Sequence, residues 1–182
     1  MPDPHAQPEI KTPRLRLRPL DIADAPVVQQ LAGNVEVARS TLLIPYPYPD
    51  GAAEAWISSH GAEWKKRNQV VFGVVHNADD ALIGCVGLTR DKADPSSAEM
   101  GYWIGHPFWN NGFCTEAARA LIDFGFDALD LRRITAHHFA DNPASGRVML
   151  KLGMVREGVL PKHVEKWGEL KDLVLYGISN PA

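Results

Sequence analysis

WNNGFCTE, at residues 109–116, joins a strand-like segment to a helix through a short loop with one glycine. Before it, GYWIG at residues 101–105 ends at His106-Pro107, and the residue before a proline is biased toward extended backbone. After it, apolar residues recur at helical spacing as far as residue 126. The first N–H groups of a helix lack internal partners and lie at the positive end of its dipole. The segment therefore predicts a binding site for a diphosphate group.

This loop matches neither of two common phosphate-binding motifs. It lacks the lysine of G-x-x-x-x-G-K-[ST], and Gly112 is a single glycine where G-x-G-x-x-G has three. Gly112 has no side chain to hold the backbone away from a phosphate. Taken alone, Asn-Asn-Gly before a helix also fits an ordinary capped turn, so the rest of the chain must decide between the two interpretations.

Composition narrows the class of protein. A chain of 182 residues, 45% hydrophobic and 23% charged, suffices for one globular domain with a substantial core. A net charge of −3 argues against direct nucleic-acid binding, and no apolar run is long enough to cross a membrane. Cys85 and Cys114 predict neither a disulfide framework nor a zinc site. Because the N-terminus is polar and proline-rich, unlike a signal peptide, we expect a cytoplasmic protein.

Hydrophobic periodicity predicts seven strands and four helices in the order β-α-α-β-β-β-α-β-α-β-β. The strands are expected at residues 15–18, 70–76, 81–89, 98–104, 133–139, 155–163 and 170–178, and the helices at residues 21–31, 52–67, 113–129 and 142–153. Prolines that alternate with aromatic residues predict an extended loop at residues 42–50. We expect residues 1–11 to be a loose tail and residues 12–180 to form one α/β domain around a central sheet.

Five segments, in the expected order, together resemble the GNAT N-acetyltransferase superfamily and, within it, the branch of ribosomal-protein N-terminal acetyltransferases. They are TPRLRLR at residues 12–18, IPYPY at residues 44–48, WNNGFC at residues 109–114, NPAS through KLG at residues 142–153 and DLVLY at residues 172–176. The resemblance implies a single-domain GNAT-like α/β fold, with a mixed sheet of about seven strands and about four flanking helices. It also implies a V-shaped split between the fourth and fifth strands, acetyl-CoA as co-substrate, and no metal.

The same resemblance assigns a CoA site. The residues that would hold the CoA diphosphate are Trp109, Asn110, Asn111, Gly112, Phe113, Cys114 and Thr115. Trp109 stands where most of the family has Gln or Arg, a change shared by the ribosomal-protein branch. A backbone amide near Trp103 or Ile104 would polarise the acetyl carbonyl, and Asn142 would contact the CoA arm.

Two residues are implied as catalytic. Glu99 begins its strand where the family often has a carboxylate near the cleft, and it would act as general base directly or through water. Ser145 would donate a proton to the departing thiolate, because this chain has Met149 where many members have a tyrosine acid. The alternatives are structural: an exposed glutamate at a strand edge, and a helix start at Asn142-Pro143. Glu116 is a weaker candidate base, because an acidic residue suits the first helical turn.

The acceptor would bind beneath the proline-rich loop, against Tyr46, Tyr48 and Trp56. An α-amine, with a pKa of about 7.7 to 8.0, needs less help from a base than a lysine or polyamine nitrogen. We expect direct transfer, in a ternary complex, to a protein N-terminus such as that of a ribosomal protein. The alternatives are a polyamine, amino-acid derivative or aminoglycoside as acceptor, and a non-catalytic acyl-CoA sensor. The chain is expected to be a monomer or a homodimer.

Overall fold

The computed structural model describes residues 6–181. The strands in this part of the chain are β1 (Ile10–Lys11), β2 (Leu15–Arg18), β3 (Gln69–His76), β4 (Leu82–Arg90), β5 (Ser97–Ile104), β6 (Arg133–Phe139), β7 (Val155–Lys166) and β8 (Glu169–Ser179). The helices are α1 (Ala25–Ala32), α2 (Val35–Ser40), α3 (Ala52–Lys65), α4 (Phe113–Asp127) and α5 (Pro143–Lys151), with 3-10 turns at Ile22–Asp24 and His106–Phe108. The eight strands form one mixed sheet in the order β1-β2-β3-β4-β5-β6-β8-β7. This confirms the predicted α/β fold around a central sheet.

The described chain has one strand and one helix more than the sequence predicted. Ile10–Lys11 pairs with β2, so this end of the predicted loose tail belongs to the sheet. Residues 1–5 of that tail lie outside the described residues. The additional helix is α2, which Asn34 caps by accepting a hydrogen bond from the Glu36 N–H. With six residues, α2 is too short for helical periodicity to reveal it.

Side chains alternate across β5 and enter two separate cores. Met100 and Ile104 pack into the larger core, together with residues of α4 and α5. Trp103 points the other way and packs with residues of α1 and α3. We call these two sides of the sheet the α4 face and the α3 face.

The sheet splits in its middle, between the parallel strands β5 and β6. Their pairing is limited to Ser97↔Arg133, Ala98↔Ile134 and Glu99↔Thr135. Beyond Glu99, β5 stays paired with β4 as far as Ile104, and β6 stays paired with β8 as far as Phe139. The two strands therefore diverge from Glu99 onward and form the V-shaped split that the resemblance implied. They are the fifth and sixth strands of the structure because β1 precedes them.

Buried His60 makes the stability of the fold depend on pH. Its side chain is 7% exposed, and neither ring nitrogen has a hydrogen-bond partner among the described residues. Burial lowers the pKa of His60 to about 4. The unfolded chain binds a proton at His60 more readily than the folded chain does. The contribution of neutral His60 to the free energy of unfolding is therefore complete above about pH 6.5 and is lost as the pH drops toward 4.

We expect wild type to lose about 1 to 2 kcal/mol of unfolding free energy through His60 between about pH 7 and about pH 5. His60→Leu should flatten this pH dependence, and urea unfolding at several pH values would measure it. His163→Gln, at an exposed position, is the matched control and should keep the wild-type slope. Equal slopes in His60→Leu and wild type would contradict the prediction.

Candidate active site

The predicted diphosphate loop has a backbone shaped for close approach of a ligand. Asn110 and Gly112 both adopt left-handed conformations, with φ of 64° and 77°. The Asn111 side chain donates hydrogen bonds to the carbonyl oxygens of Phe108 and Trp109, at 3.1 and 3.0 Å, and so fixes the turn. Helix α4 begins directly after Gly112, and no side chain caps it. Its first N–H groups are therefore available to an anion.

Glu116, in the first turn of α4, ties this loop to the N-terminal segment. Its carboxylate accepts hydrogen bonds from Thr12 Oγ1 at 2.6 Å, from the Arg14 N–H at 2.9 Å and from Arg14 Nε at 2.7 Å. Arg14 also donates to the carbonyl of Asn111 at 2.9 Å. Burial raises the pKa of Glu116, but the hydrogen bonds from Thr12 and Arg14 outweigh it and lower the pKa overall. These contacts give Glu116 a structural role.

Two other loop residues also make contacts within the protein. The Trp109 indole N–H donates to the carbonyl of Ile104 at 2.6 Å, and its ring packs against His106. Trp109 thus fastens the loop to the end of β5. Cys114 is a poor candidate for a nucleophile, because burial raises the pKa of its thiol to about 12.

A cavity of about 520 Å³ occupies the split and is lined by residues from both faces of the sheet. Of the residues predicted from the sequence, those that line it are Tyr48, Trp56, Glu99, Trp103 and Ser145. The split thus brings the two predicted catalytic residues and most of the predicted acceptor residues to one space.

Besides the residues of the diphosphate loop, three predicted site residues do not line the cavity. Tyr46 is 48% exposed and packs against Trp167, with ring centroids 5.6 Å apart. The side chain of Asn142 caps α5 by accepting from the Ser145 N–H at 3.4 Å and donates to the carbonyl of Ser40 at 3.3 Å. The Ile104 side chain is buried in the core on the α4 face.

Glu99 lies where the strands part, beside a histidine that the sequence did not single out. Its Oε1 atom is 3.3 Å from Nδ1 of His137, and both residues line the cavity. The Glu99 side chain is 57% exposed, so a proton that it accepts can pass to solvent. The pair could not be found from sequence because it depends on the register of β5 and β6.

Ser145 has a hydrogen-bond partner that the sequence also did not reveal. The hydroxyl oxygen of Tyr102 lies 2.9 Å from Ser145 Oγ and 3.2 Å from the Ser145 carbonyl oxygen. Burial raises the pKa of Tyr102 well above its usual value. Met149, at the position of the family's tyrosine acid, is buried in the core on the α4 face.

His138 lines the cavity and packs against α5. Its Nδ1 lies 2.7 Å from the carbonyl of Phe139, which places the ring hydrogen on Nδ1. The other nitrogen, Nε2, is buried against Gly146 of α5 and has no hydrogen-bond partner among the described residues. The fit of the site to CoA therefore rests on the start of α4, whose first N–H groups no side chain caps.

Lys166 holds the proline-rich loop over the cavity. Its ammonium group donates to the carbonyls of Leu42 and Ile44, at 3.2 and 2.7 Å. Burial lowers the pKa of Lys166. Because Leu42 and Ile44 line the cavity, the hairpin of β7 and β8 fixes one wall of the acceptor side.

No group of three or more His, Cys, Asp or Glu side chains in residues 6–181 is placed to hold a metal ion. No helix in the same range has the length and apolar character needed to cross a membrane.

Comparison with known proteins agrees with this geometry. The family described as "Acetyltransferase (GNAT) domain" matches residues 14–155. The uncharacterized N-acetyltransferase YoaA of Bacillus subtilis is 33% identical over 174 residues, which cover 96% of this chain and 98% of YoaA. A putative ribosomal-protein-serine acetyltransferase from Vibrio cholerae is 28% identical with a TM-score of 0.76, covering 94% of this chain and 97% of that one. The microcin C7 self-immunity acetyltransferase MccE, solved with acetyl-CoA and AMP, has a TM-score of 0.82 at 20% identity, covering 93% and 94%.

Replacing Gly112 by valine should weaken the binding of acetyl-CoA at least about 10-fold. A valine at φ of 77° is strained, so the loop that presents the first N–H groups of α4 to the diphosphate would have to change its conformation. Isothermal titration with acetyl-CoA would measure the affinity. Gly51→Val is the matched control, because Gly51 precedes α3 with the same φ of 77°. Gly51→Val should lose similar stability but bind acetyl-CoA within about 2-fold of wild type, and equal affinities in all three proteins would contradict the diphosphate site.

Replacing Glu116 by alanine should cost about 2 kcal/mol of unfolding free energy. The change leaves three donors on Thr12 and Arg14 without their acceptor. Urea unfolding would measure the loss. Glu157→Ala, which removes an exposed ion pair with Arg133, should cost less than about 1 kcal/mol. Similar small losses in both variants would show that the Glu116 contacts contribute little.

Proposed function

We propose that this chain, which belongs to the GNAT acetyltransferase family, acts on the α-amino group at a protein or peptide N-terminus. It is an N-acetyltransferase, and its family uses acetyl-CoA as the acetyl donor. The proposal concerns the acceptor, the residues that act on it and the order of the reaction. We expect the reaction to occur in the cytoplasm.

The charge of the cavity is the observation that carries the proposal. Of the described residues that line it, Glu99 is the one carboxylate, and none is lysine or arginine. A polyamine or aminoglycoside would place further ammonium groups against apolar walls, where charges without partners are costly. A free amino acid would bring a carboxylate for which the lining offers no cation. A peptide N-terminus carries an amine without a neighbouring carboxylate, and this fits the cavity best.

The relatives support the same acceptor class. The Vibrio cholerae protein described above is named as a putative ribosomal-protein-serine acetyltransferase. An Escherichia coli ribosomal-protein-serine acetyltransferase is 34% identical over 82 residues, which cover 45% of this chain. We extend that acceptor class to this chain, with a ribosomal protein as the leading candidate.

Each of the residues at the split has a separate role in the proposed reaction. Glu99, on the α3 face, accepts a proton from the incoming amine directly or through water. Acetyl-CoA supplies a thioester whose C–S bond breaks as the new C–N bond forms. A backbone N–H of β5 near Trp103 or Ile104 stabilises the oxygen that gains negative charge. Ser145, across the split, faces the departing sulfur.

The experiment follows the release of free CoA thiol from acetyl-CoA with a panel of amines. The panel holds peptides that begin with alanine or serine, spermidine, an aminoglycoside and free amino acids. We expect release with the peptides. Release with spermidine or the aminoglycoside alone would replace the proposed acceptor by a small amine. Tight binding of acetyl-CoA without release on any amine, including extracted ribosomal proteins, would favour a sensor.

Glu99→Gln should lower kcat/KM for the best peptide about 10- to 100-fold while the affinity for acetyl-CoA stays unchanged. The defect should shrink above about pH 8, where the α-amine loses its proton without a base. A pH–rate profile measures both effects. Glu157→Gln, on the exposed strand β7, is the control and should behave as wild type. An unchanged rate in Glu99→Gln would remove this residue from the mechanism.

A further inference from the structure

Tyr102 bridges the split in a way that the proposed roles of Glu99 and Ser145 leave unexplained. It lies on β5, and its hydroxyl oxygen is 2.9 Å from Ser145 Oγ at the start of α5. Both residues line the cavity. Tyr102 alternates along β5 with Trp103, so its side chain lies on the α4 face, opposite to Glu99. The two hydroxyl groups thus lie on the α4 face, where the helix that follows the diphosphate loop packs, and the carboxylate lies on the α3 face.

The direction of the hydrogen bond decides what Ser145 can do. Each of the two hydroxyl groups has one hydrogen. If Ser145 donates to Tyr102, its hydrogen points away from the cavity. If Tyr102 donates to Ser145 Oγ, the serine hydrogen is free to turn toward the cavity. Among the described residues, the other acceptor within hydrogen-bond distance of the phenol is the Ser145 carbonyl oxygen, at the longer distance of 3.2 Å.

We infer that Tyr102 is a positioning residue that donates to Ser145 Oγ and turns the serine hydroxyl toward the sulfur that leaves. The inference rests on the proposed function, because it concerns the thiol end of the same reaction. In many members of the family the phenol belongs to a tyrosine on the helix, at the position of Met149 in this chain. Here the phenol belongs to Tyr102 and lies on strand β5.

The chemistry balances without a new reactant. The amine nitrogen forms a bond to the carbonyl carbon and gives up a proton to Glu99, directly or through water. The C–S bond breaks, and its electron pair stays on sulfur. Ser145 donates a hydrogen bond to this thiolate and keeps its proton, because a thiol, with a pKa of about 8.5, is the stronger acid. Solvent then protonates the thiolate. Burial raises the pKa of Tyr102, so the phenol keeps its hydrogen over the pH range in which the thiol titrates.

The test measures the pKa of the thiol of bound CoA, which requires no acceptor. Thiolate absorbance of the CoA complex is followed against pH in wild type, Tyr102→Phe, Ser145→Ala and the double variant. A donor aimed at sulfur lowers this pKa, so we expect Tyr102→Phe and Ser145→Ala both to raise it. In the Ser145→Ala background, Tyr102→Phe should have no further effect. Tyr176→Phe removes a phenol on the same face that does not line the cavity, and it should match wild type.

Turnover gives a second readout. With the best amine, Tyr102→Phe should lower kcat about 3- to 10-fold, the loss expected for one neutral hydrogen bond, with KM for acetyl-CoA within about 2-fold. Ser145→Ala should lower kcat about 10- to 100-fold, and the double variant should match Ser145→Ala.

The outcomes separate the inference from the proposed function. An unchanged thiol pKa in Tyr102→Phe, in a protein that binds CoA, would overturn the inference alone. So would equal effects of Tyr102→Phe with and without Ser145, since they indicate packing rather than action through the serine. Failure of wild type to bind CoA would overturn both. Acetylation of a small amine instead of a peptide would change the proposed acceptor and leave the role of Tyr102 as inferred.

Discussion

The site depends on the early end of the pairing between β5 and β6. The two parallel strands share three residue pairs and then diverge, although each continues along its other neighbour. Backbone groups on the inner edges of a split sheet lose their strand partners, and burial of such groups is costly unless something else pairs with them. The fold meets this constraint by covering both faces with helices and leaving a space of about 520 Å³ that a ligand arm with amide groups can fill.

A second constraint holds the diphosphate loop beside the split. Helix α4 must start at a fixed distance from the end of β5, and two contacts achieve this. The Trp109 indole fastens the loop to the carbonyl of Ile104, and Glu116 fastens the helix to Thr12 and Arg14. Arg14 also donates a hydrogen bond to the carbonyl of Asn111, so the N-terminal segment supports the loop from one side. The backbone N–H groups at the start of α4 remain available for an anion. Trp109 and Glu116 thereby hold the loop and the start of α4 beside the split.

Features that depend on local sequence pattern could be predicted, and contacts that depend on how the strands pair could not. Periodicity predicted the order of the elements from residues 15 to 178, and the prediction failed at β1 and α2, which span two and six residues. The glycine and helix start of the diphosphate loop are likewise local. The partners of the site are not: Tyr102 meets Ser145 from 43 residues away, and Lys166 meets Leu42 from 124 residues away. Such pairs follow from the point at which β5 and β6 part, and hydrophobic pattern does not specify that point.

The arrangement of groups across the sheet favours direct transfer, as we propose, over an acyl-enzyme. Glu99 and His137 lie together at one side of the cavity, and Tyr102 and Ser145 lie together at the other. In the proposed reaction, an amine that enters on the α3 face meets the base before it reaches the thioester, and the sulfur departs on the α4 face. A two-step route would need a nucleophile between them. The two cysteines do not supply one, because burial raises the pKa of both Cys85 and Cys114, so little reactive thiolate forms near neutral pH. With the proposed base and the proposed hydroxyl donor on opposite sides of one space, we propose that both substrates bind together.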